Sequence, residues 1–430
     1  MNNRSIRRSM AIFVLIALGC IASCATGDDD GAPASDDDND ALSDDDGQPA
    51  DDDAETDDDT QPPGPPTISA PLFVVPSAGL PAEIELQQAN NNLDVVEHAD
   101  RIFLAFRSAP THFASAKTTM NVVSSVDQQL WDFEITFAED TDLRECRWLS
   151  WNGRLFLYYA VLGSNPLDFT PQGIKVTEYL GPGDWTEPEW AYEPGFMVWR
   201  TKVIDDVPYM LAYVGGESIY DPNPEPMDVH WLTTIDGYNW TPVIPGQPVV
   251  LVGGSSETDF VFLDDGSLVA VSRVEQVDPL GWGSKICRAE ADNLGQWNCV
   301  IDPRKYDSPL MFRHGSNVYL IGRRNLNGTG YYDLDYDQYP AGIQSLLYEF
   351  LYWIHPKRCS LWQVDPETLQ VEFVLDLPSR GDTCFPGLLA LDDHSYEVYN
   401  YTSPLDGPDI YWLKGQLGPT SIYRLTLTFP

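Results

Sequence analysis

Basic side chains are scarce in this sequence: 25 Lys and Arg stand against 66 Asp and Glu in 430 residues, a formal net charge of −41. A nucleic-acid partner needs clustered cations to neutralise its phosphates, so this balance excludes one. Long hydrophobic runs are missing too. The apolar stretch from Met10 to Ala22 is too short to span a bilayer comfortably. The seven cysteines show no C-x-x-C spacing, which argues against zinc. G-x-S-x-G, a nucleotide-binding loop and H-E-x-x-H are all absent, so neither a metal nor a cofactor is expected. Helical periodicity is nearly absent from residue 92 onward. What is present is 43% hydrophobic and 12% aromatic content, enough for a large core.

The acidity is unevenly placed. Residues 25–66 hold 16 Asp, one Glu and no Lys or Arg, whereas residues 67–430 hold 49 acids and 22 bases, a net −27. Asp triplets at 28–30, 36–38, 44–46, 51–53 and 57–59, followed by QPPGPP, repel one another and bury nothing, the signature of an extended tether. They encode no coordinating geometry, so no calcium site is expected there. Arg4, Arg7 and Arg8 precede the apolar stretch in the manner of an export signal. Ile21-Ala22-Ser23-Cys24 matches the bacterial lipobox, in which the cysteine is acylated and becomes the mature N-terminus. Ala25 in place of Asp favours the outer membrane by resemblance to lipoprotein sorting rules. The expected organisation is a lipoprotein signal peptide over 1–23, a disordered Asp-rich tether over 24–66 with Cys24 as the lipidation site, and a folded body over 67–430. The expected location is the bacterial cell envelope, as a monomeric outer-membrane lipoprotein held to the membrane by its N-terminal lipid.

Five cysteines remain in the body, an odd count in an oxidising compartment. Cys287 and Cys299 flank EADNLGQW, a hairpin tip, and are expected to pair; Cys359 with Cys384 is the second expectation.

A repeat of about 50 residues sets the architecture. Glu145-CRWLSWNGRLFLYYA, Glu257-TDFVFLDDGSLVAVSR, Asp307-SPLMFRHGSNVYLIGR and Asp382-TCFPGLLALDDHSYEVYNY share an acid, an apolar strand, a turn and a second strand. RTKVIDDVPYMLAYV (200–214) and LDVVEHADRIFLAFR (93–107) fit with a degenerate start, giving six copies. Ser125-V-Asp127-QQL-Trp131 and Thr234-I-Asp236-GYN-Trp240 share the spacing S/T-x-D-x-x-x-W, and Asp292-NLGQ-Trp297 is a looser version. The first two resemble the Asp box (BNR repeat) of sialidase-type propellers. Two boxes in phase with a sixfold repeat predict an all-β fold, a six-bladed β-propeller. The last blade shows three strands, so a segment near Ala82 to Gln88 is expected to supply its fourth and close the ring. Within an insertion in blade 5, Asn325 to Lys357, residues Ile343, Leu346, Leu347, Phe350, Leu351 and Ile354 follow helical spacing and predict a helix over one face.

In a propeller the first strands start, and the second strands end, at one mouth of the central channel. The sequence places Glu145, Glu257, Asp307 and Asp382 at first-strand starts, with Arg144, Arg147 and Arg200 nearby. The last positions of the second strands are Arg107, Ala160, Val214, Arg273, Arg323 and Tyr401. Arginine outnumbers lysine 15 to 7 in the body, consistent with planar carboxylate pairing by guanidinium groups. The partners of these arginines are either a ligand or the neighbouring acids.

Ser256-Glu257-TDFVFLDDGSLVAVS-Arg273 resembles the sialidase (neuraminidase) segment in which a Glu opens a strand and an Arg ends the next. The resemblance implies that Glu257 polarises a tyrosine nucleophile, that Tyr401 is that nucleophile, and that Arg273 belongs to a triad clamping a sugar carboxylate. A phenol avoids the repulsion that a carboxylate nucleophile would meet at an anionic sugar. The third triad member is Arg323 or Arg313, and the general acid is Asp94 or His112. No Arg-Ile-Pro run precedes the first blade, so the first triad arginine is unassigned. Arg107, Arg144, Arg200, Glu145, Asp307, Asp382 and His112 complete the candidate substrate-binding set. The loop DGPDIYWLKGQLGPT (406–420) either stacks on a sugar or packs as a lid. The implied function is that of a glycoside hydrolase or, alternatively, a non-catalytic propeller that binds a glycan, a glycoconjugate or a protein.

Overall fold

The computed structural model describes residues 64–166, 169–215 and 225–430. The expected signal peptide, Cys24 and all but the last three residues of the Asp-rich tether lie outside them. Six antiparallel sheets follow one another around a channel. Blade 1 is Ala89–His98, Arg101–Ala109, Thr119–Ser125 and Asp132–Phe137. Blade 2 begins with Asp142–Trp151, Arg154–Leu162 and Pro171–Gly181, and blade 3 with Met197–Ile204, Val207–Val214 and Met227–Thr234. Blade 4 is Ser255–Phe262, Leu268–Val274, Ser284–Ala289 and Asn298–Asp302; blade 5 is Leu310–His314, Asn317–Asn325, Lys357–Val364 and Val371–Asp376. Blade 6 has Gly387–Ala390, Ser395–Thr402 and Ser421–Thr428. Strand alternation puts aliphatic and aromatic side chains between neighbouring sheets, where they fill the core.

The ring closes with strands that precede blade 1, through a segment other than the expected one. Thr67–Ile68 and Leu72–Val75 pair with Ser421–Thr428, Thr67 opposite Thr428 and Leu72 opposite Arg424. Residues 82–88 run beside Thr420, whose amide donates to the Gln88 carbonyl, and lead into blade 1. The reason is radial. An outermost strand lies three inter-strand spacings, roughly 14 Å, from the innermost one. The chain needs the residues between Val75 and Ala89 to cross from one to the other.

The S/T-x-D turns lie at the end of the ring away from the mouth. The Asp127 carboxylate accepts the amides of Gln129 and Leu130, and that of Asp236 accepts those of Tyr238 and Asn239. Trp131 and Trp240 are buried beside them. Both expected disulfides, Cys287–Cys299 and Cys359–Cys384, are formed, and Cys146 is a buried free thiol.

The insertion in blade 5 does form a helix, α1 (Ala341–Trp353), but the face it buries is not the expected one. Gln344, Tyr348 and Tyr352 point inward, while Ile343, Leu346 and Phe350 are exposed. The surface beneath is polar and needs hydrogen bonds. Gln344 accepts one from the Trp282 indole, and the Tyr352 hydroxyl donates to Asp307. A second short helix, α2 (Trp412–Gln416), lies in the last blade.

Closure by residues 67–75 predicts that a protein starting at Leu80 has an unfolding free energy lower by roughly 4 kcal/mol or more, since it loses buried Val74 and Val75 and the edge pairing. Denaturant unfolding measures this. Equal stability of the two forms would return the closing role to residues 82–88.

Candidate functional site

The innermost strands do not start straight. Pairing in blades 1 to 4 slips between Asn91 and Asp94, Arg144 and Arg147, Val198 and Arg200, and Ser255 and Thr258. Such a bulge re-aims side chains. Asn92, Glu145, Ser308 and Cys384 take the left-handed conformation near these starts. Aligned on that residue, Asp307 falls one position and Asp382 two positions ahead of Glu145. The acids therefore share a mouth without sharing one repeat position.

At the mouth each second-strand guanidinium meets a carboxylate of the protein itself. Arg323 Nη1 lies 2.8 Å from Asp307 Oδ2, and its Nε donates to the Thr383 carbonyl. Arg273 Nη1 lies 2.8 Å from Glu257 Oε1, and its Nε lies 2.9 Å from Glu275. Arg107 Nη2 lies 2.7 Å from Asp142, which also pairs with Arg144. Lys305 bridges Glu275 and Glu349 at 3.1 and 3.2 Å. Buried ions left unpaired would cost several kcal/mol each, and these pairings remove that cost.

Blade 6 carries tyrosine at the arginine position. Tyr401 is 1% exposed, and its hydroxyl donates to Asp382 Oδ1 at 3.0 Å. The same carboxylate receives the Trp412 indole N–H at 3.1 Å and meets His112 Nδ1 at 2.8 Å. Burial opposes ionisation of Asp382, but His112 and Arg323 beside it hold its carboxyl below the usual range. Burial, then the Asp382 charge, pushes the Tyr401 phenol well up. Tyr401 is thus a neutral donor to an ionised carboxylate.

The acid beside the tyrosine is not the expected one. Glu257 instead accepts the Ser308 amide at 2.7 Å and pairs with Arg273, so its oxygens are engaged elsewhere. Arg200 lies down the channel on Asp259 and the Pro309 carbonyl rather than among the mouth pairs. Asp94 is likewise a channel residue, accepting the Trp148 amide. Arg313 pairs with Asp264 in the turn region and cannot be a triad member. His112 does reach the mouth. The aromatic loop packs as a lid: the Trp412 ring lies 4.6 Å from the Arg323 guanidinium, above Asp382.

Asp142, Glu275, Lys305 and Tyr352 belong to the site without having been singled out from the sequence, and Trp412 was covered only as part of the 406–420 loop. The signal for Asp142 was its place three residues before Glu145, at the very start of a first strand. Tyr352 offered none, because its helix was read by its aliphatic face.

Glu145 is the exception to the pairing. Its blade has Ala160 at the arginine position, opposite Arg144 in the register, so its blade supplies no second-strand arginine to pair with it. Glu145 Oε2 is buried without a hydrogen-bond partner. Burial, then the neighbouring charge of Glu257, raises its pKa to about 8 against the pull of Arg144, Arg147 and Arg273. Among the described residues no group of three His, Cys, Asp or Glu could hold a metal ion.

The sign of the Glu145 effect follows from linkage. A carboxyl whose pKa rises on folding contributes stability below its unfolded value, near 4.5, and loses it as pH rises through about 8. Glu145→Gln keeps the neutral state at every pH. Its unfolding free energy should match that of the parent near pH 4.5 and exceed it by roughly 3–5 kcal/mol at pH 9, read from denaturant midpoints. A pH-independent difference would contradict the assignment.

No family model and no curated protein matches this chain. Solved structures do. A protein of unknown function from Dyadobacter fermentans superposes with a TM-score of 0.54 at 15% identity, over 80% of this chain and 95% of that one. The phage phi92 endosialidase superposes at 0.51 and 11% identity, over 81% of this chain and 68% of its own. Trypanosoma rangeli sialidase with the inhibitor DANA gives 0.53 and 12%, over 81% of this chain and 57% of the enzyme. This chain therefore spans somewhat more than half of the trypanosomal enzyme. At these identities the likeness concerns the fold: a six-bladed propeller of the kind found in sialidases.

Proposed function

We propose that the protein is an envelope-anchored propeller, lipidated at Cys24, that binds glycans at the strand-start mouth without hydrolysing them. One observation carries the negative half. Tyr401, at the position of the implied nucleophile, is sealed under Trp412 with its hydroxyl committed to Asp382, while Glu257 is committed to Arg273 and Ser308. Glycoside hydrolysis needs two carboxyl groups flanking a sugar and room for it between them. Here the corresponding space is filled by the protein's own aromatic and charged groups.

Binding is supported by what the rim leaves accessible. Tyr411, next to Trp412, is 51% exposed and offers a ring face, and the side chains of His112, Arg144 and Arg273 keep part of their surface in solvent. Aromatic faces beside a few polar donors are the chemistry that takes a sugar ring. Sialic acid is the ligand of a fold neighbour, a Trypanosoma rangeli sialidase. An acidic sugar suits the rim arginines. A second reading, docking of a protein, is favoured by the exposed stripe Ile343, Leu346 and Phe350 on α1.

Glycan-array binding together with a fluorogenic glycosidase screen tests the proposal. Binding of an acidic glycan is expected to weaken about tenfold or more in Tyr411→Ala and to change less than about threefold in Tyr401→Phe, with no turnover in either. Turnover that disappears in Tyr401→Phe would restore a hydrolase. Absence of any glycan bound, with retention of a protein partner lost in Leu346→Glu, would favour docking.

A further inference from the structure

Beyond the mouth, the channel holds a second charge cluster that the sugar site does not use. Arg147 and Arg200 come from the first strands of blades 2 and 3, and Lys202 follows Arg200. Two carboxylates face these three cations, Asp94 and Asp259, and both are tied to the backbone of the next blade. Asp94 accepts the Trp148 amide at 2.9 Å, and Asp259 accepts the Met311 amide at 2.7 Å. Lys202 is fully engaged, with Asp259 at 2.7 Å and the carbonyls of Phe260 and Met311.

The two arginines are not. Arg147 donates Nε to the Trp199 carbonyl and is held between the rings of Trp199 and Phe385, 4.9 and 4.2 Å from their centroids. Its Nη1 is buried with no hydrogen-bond partner, 4.0 Å from Asp94. Arg200 donates Nη2 to the Pro309 carbonyl, and its buried Nε makes no hydrogen bond although Asp259 lies 3.3 Å away. Burial, then the charge of Arg200, lowers the pKa of Arg147 to about 10, so the two cations oppose each other. Arg200, but not Arg147, lines a cavity of about 370 Å³, together with Asp94, Ser150, Thr201, Lys202, exposed Glu97 and an apolar wall that includes Leu149 and Met311.

Two buried guanidinium groups whose like charges oppose each other, each with a donor lacking a hydrogen-bond partner and one of them lining the cavity, make an anion site. We propose that the channel binds a small oxyanion, a carboxylate, sulfate or phosphate, on Arg200 in this cavity, with Arg147 behind it. The ligand would accept the Arg200 Nε hydrogen and offset the mutual repulsion of the Arg200 and Arg147 charges. The channel focuses that charge within an otherwise acidic protein. This inference is independent of the reading of the mouth.

Thermal unfolding of the purified protein in acetate, sulfate or phosphate, against chloride at matched ionic strength, tests it. At least one oxyanion should raise the melting temperature saturably, by about 3 °C or more at tenfold excess over its dissociation constant, and the one that saturates lowest names the class. In Arg200→Met that rise should vanish while the melting temperature in chloride stays equal or increases, because a like-charge neighbour of Arg147 is gone. Arg200→Lys, the conservative variant, should fold and need about tenfold more anion. A non-saturating rise shared by all variants is a general salt effect and overturns the proposal. A rise lost in Arg273→Met but kept in Arg200→Met places the anion at the mouth and overturns it too.

Discussion

Three arginines at the ends of second strands, each held by a buried carboxylate, organise one end of this ring. The pairs Arg107–Asp142, Arg273–Glu257 and Arg323–Asp307 cannot separate without leaving an ion stranded in a nearly water-free layer, which costs about 3–5 kcal/mol per broken pair. What covers the mouth is placed by these charges. Tyr352 anchors α1 by donating to Asp307, and Trp412 anchors α2 between Arg323 and Asp382. The inverted helix α1 follows from the same constraint. An aliphatic face laid over this layer would satisfy none of its acceptors, so the tyrosines turn inward and the aliphatic stripe turns out.

The same pairs explain why a sialidase-type scaffold can carry arginine and tyrosine at familiar places without an open clamp. Arg107 and Arg323, buried and already neutralised within hydrogen-bonding distance, have little to gain from a ligand carboxylate. The exceptions are instructive because each follows from one residue of the repeat. Ala160 in place of arginine leaves Glu145 without a second-strand partner, its Oε2 buried with no hydrogen bond and its pKa raised by burial. Tyr401 in place of arginine lets Asp382 be satisfied by a phenol, an indole and an imidazole. The chain enters the ring at Thr67, beside Thr428, at the end opposite the mouth.

Much of this was legible in the sequence. The sixfold recurrence of strand, turn and strand identified the propeller, because each blade repeats the same burial pattern and the S/T-x-D-x-x-x-W turns recur in phase. The convergence of Arg107, Arg273, Arg323 and Tyr401 followed from repeat position alone. Partner identity did not. Which acid meets Tyr401 depends on bulges that shift Asp382 and Asp307 relative to Glu145, and a bulge leaves no compositional mark when the residue is not glycine. The closing strands were hidden among Pro65, Pro66, Pro71 and Pro76, a composition that reads as linker. Arg200 was misplaced because the third repeat starts degenerately, so nothing in the sequence fixed its depth in the channel.

The central claim is that the mouth arginines serve internal carboxylates. A double-mutant cycle between Asp307 and Arg323 measures this most directly, using denaturant unfolding of Asp307→Asn, Arg323→Met and the combined variant. The account predicts a coupling energy of about 2 kcal/mol or more, with the double variant nearly as stable as either single one. Additive losses within about 0.5 kcal/mol would contradict it and leave Arg323 available to a ligand.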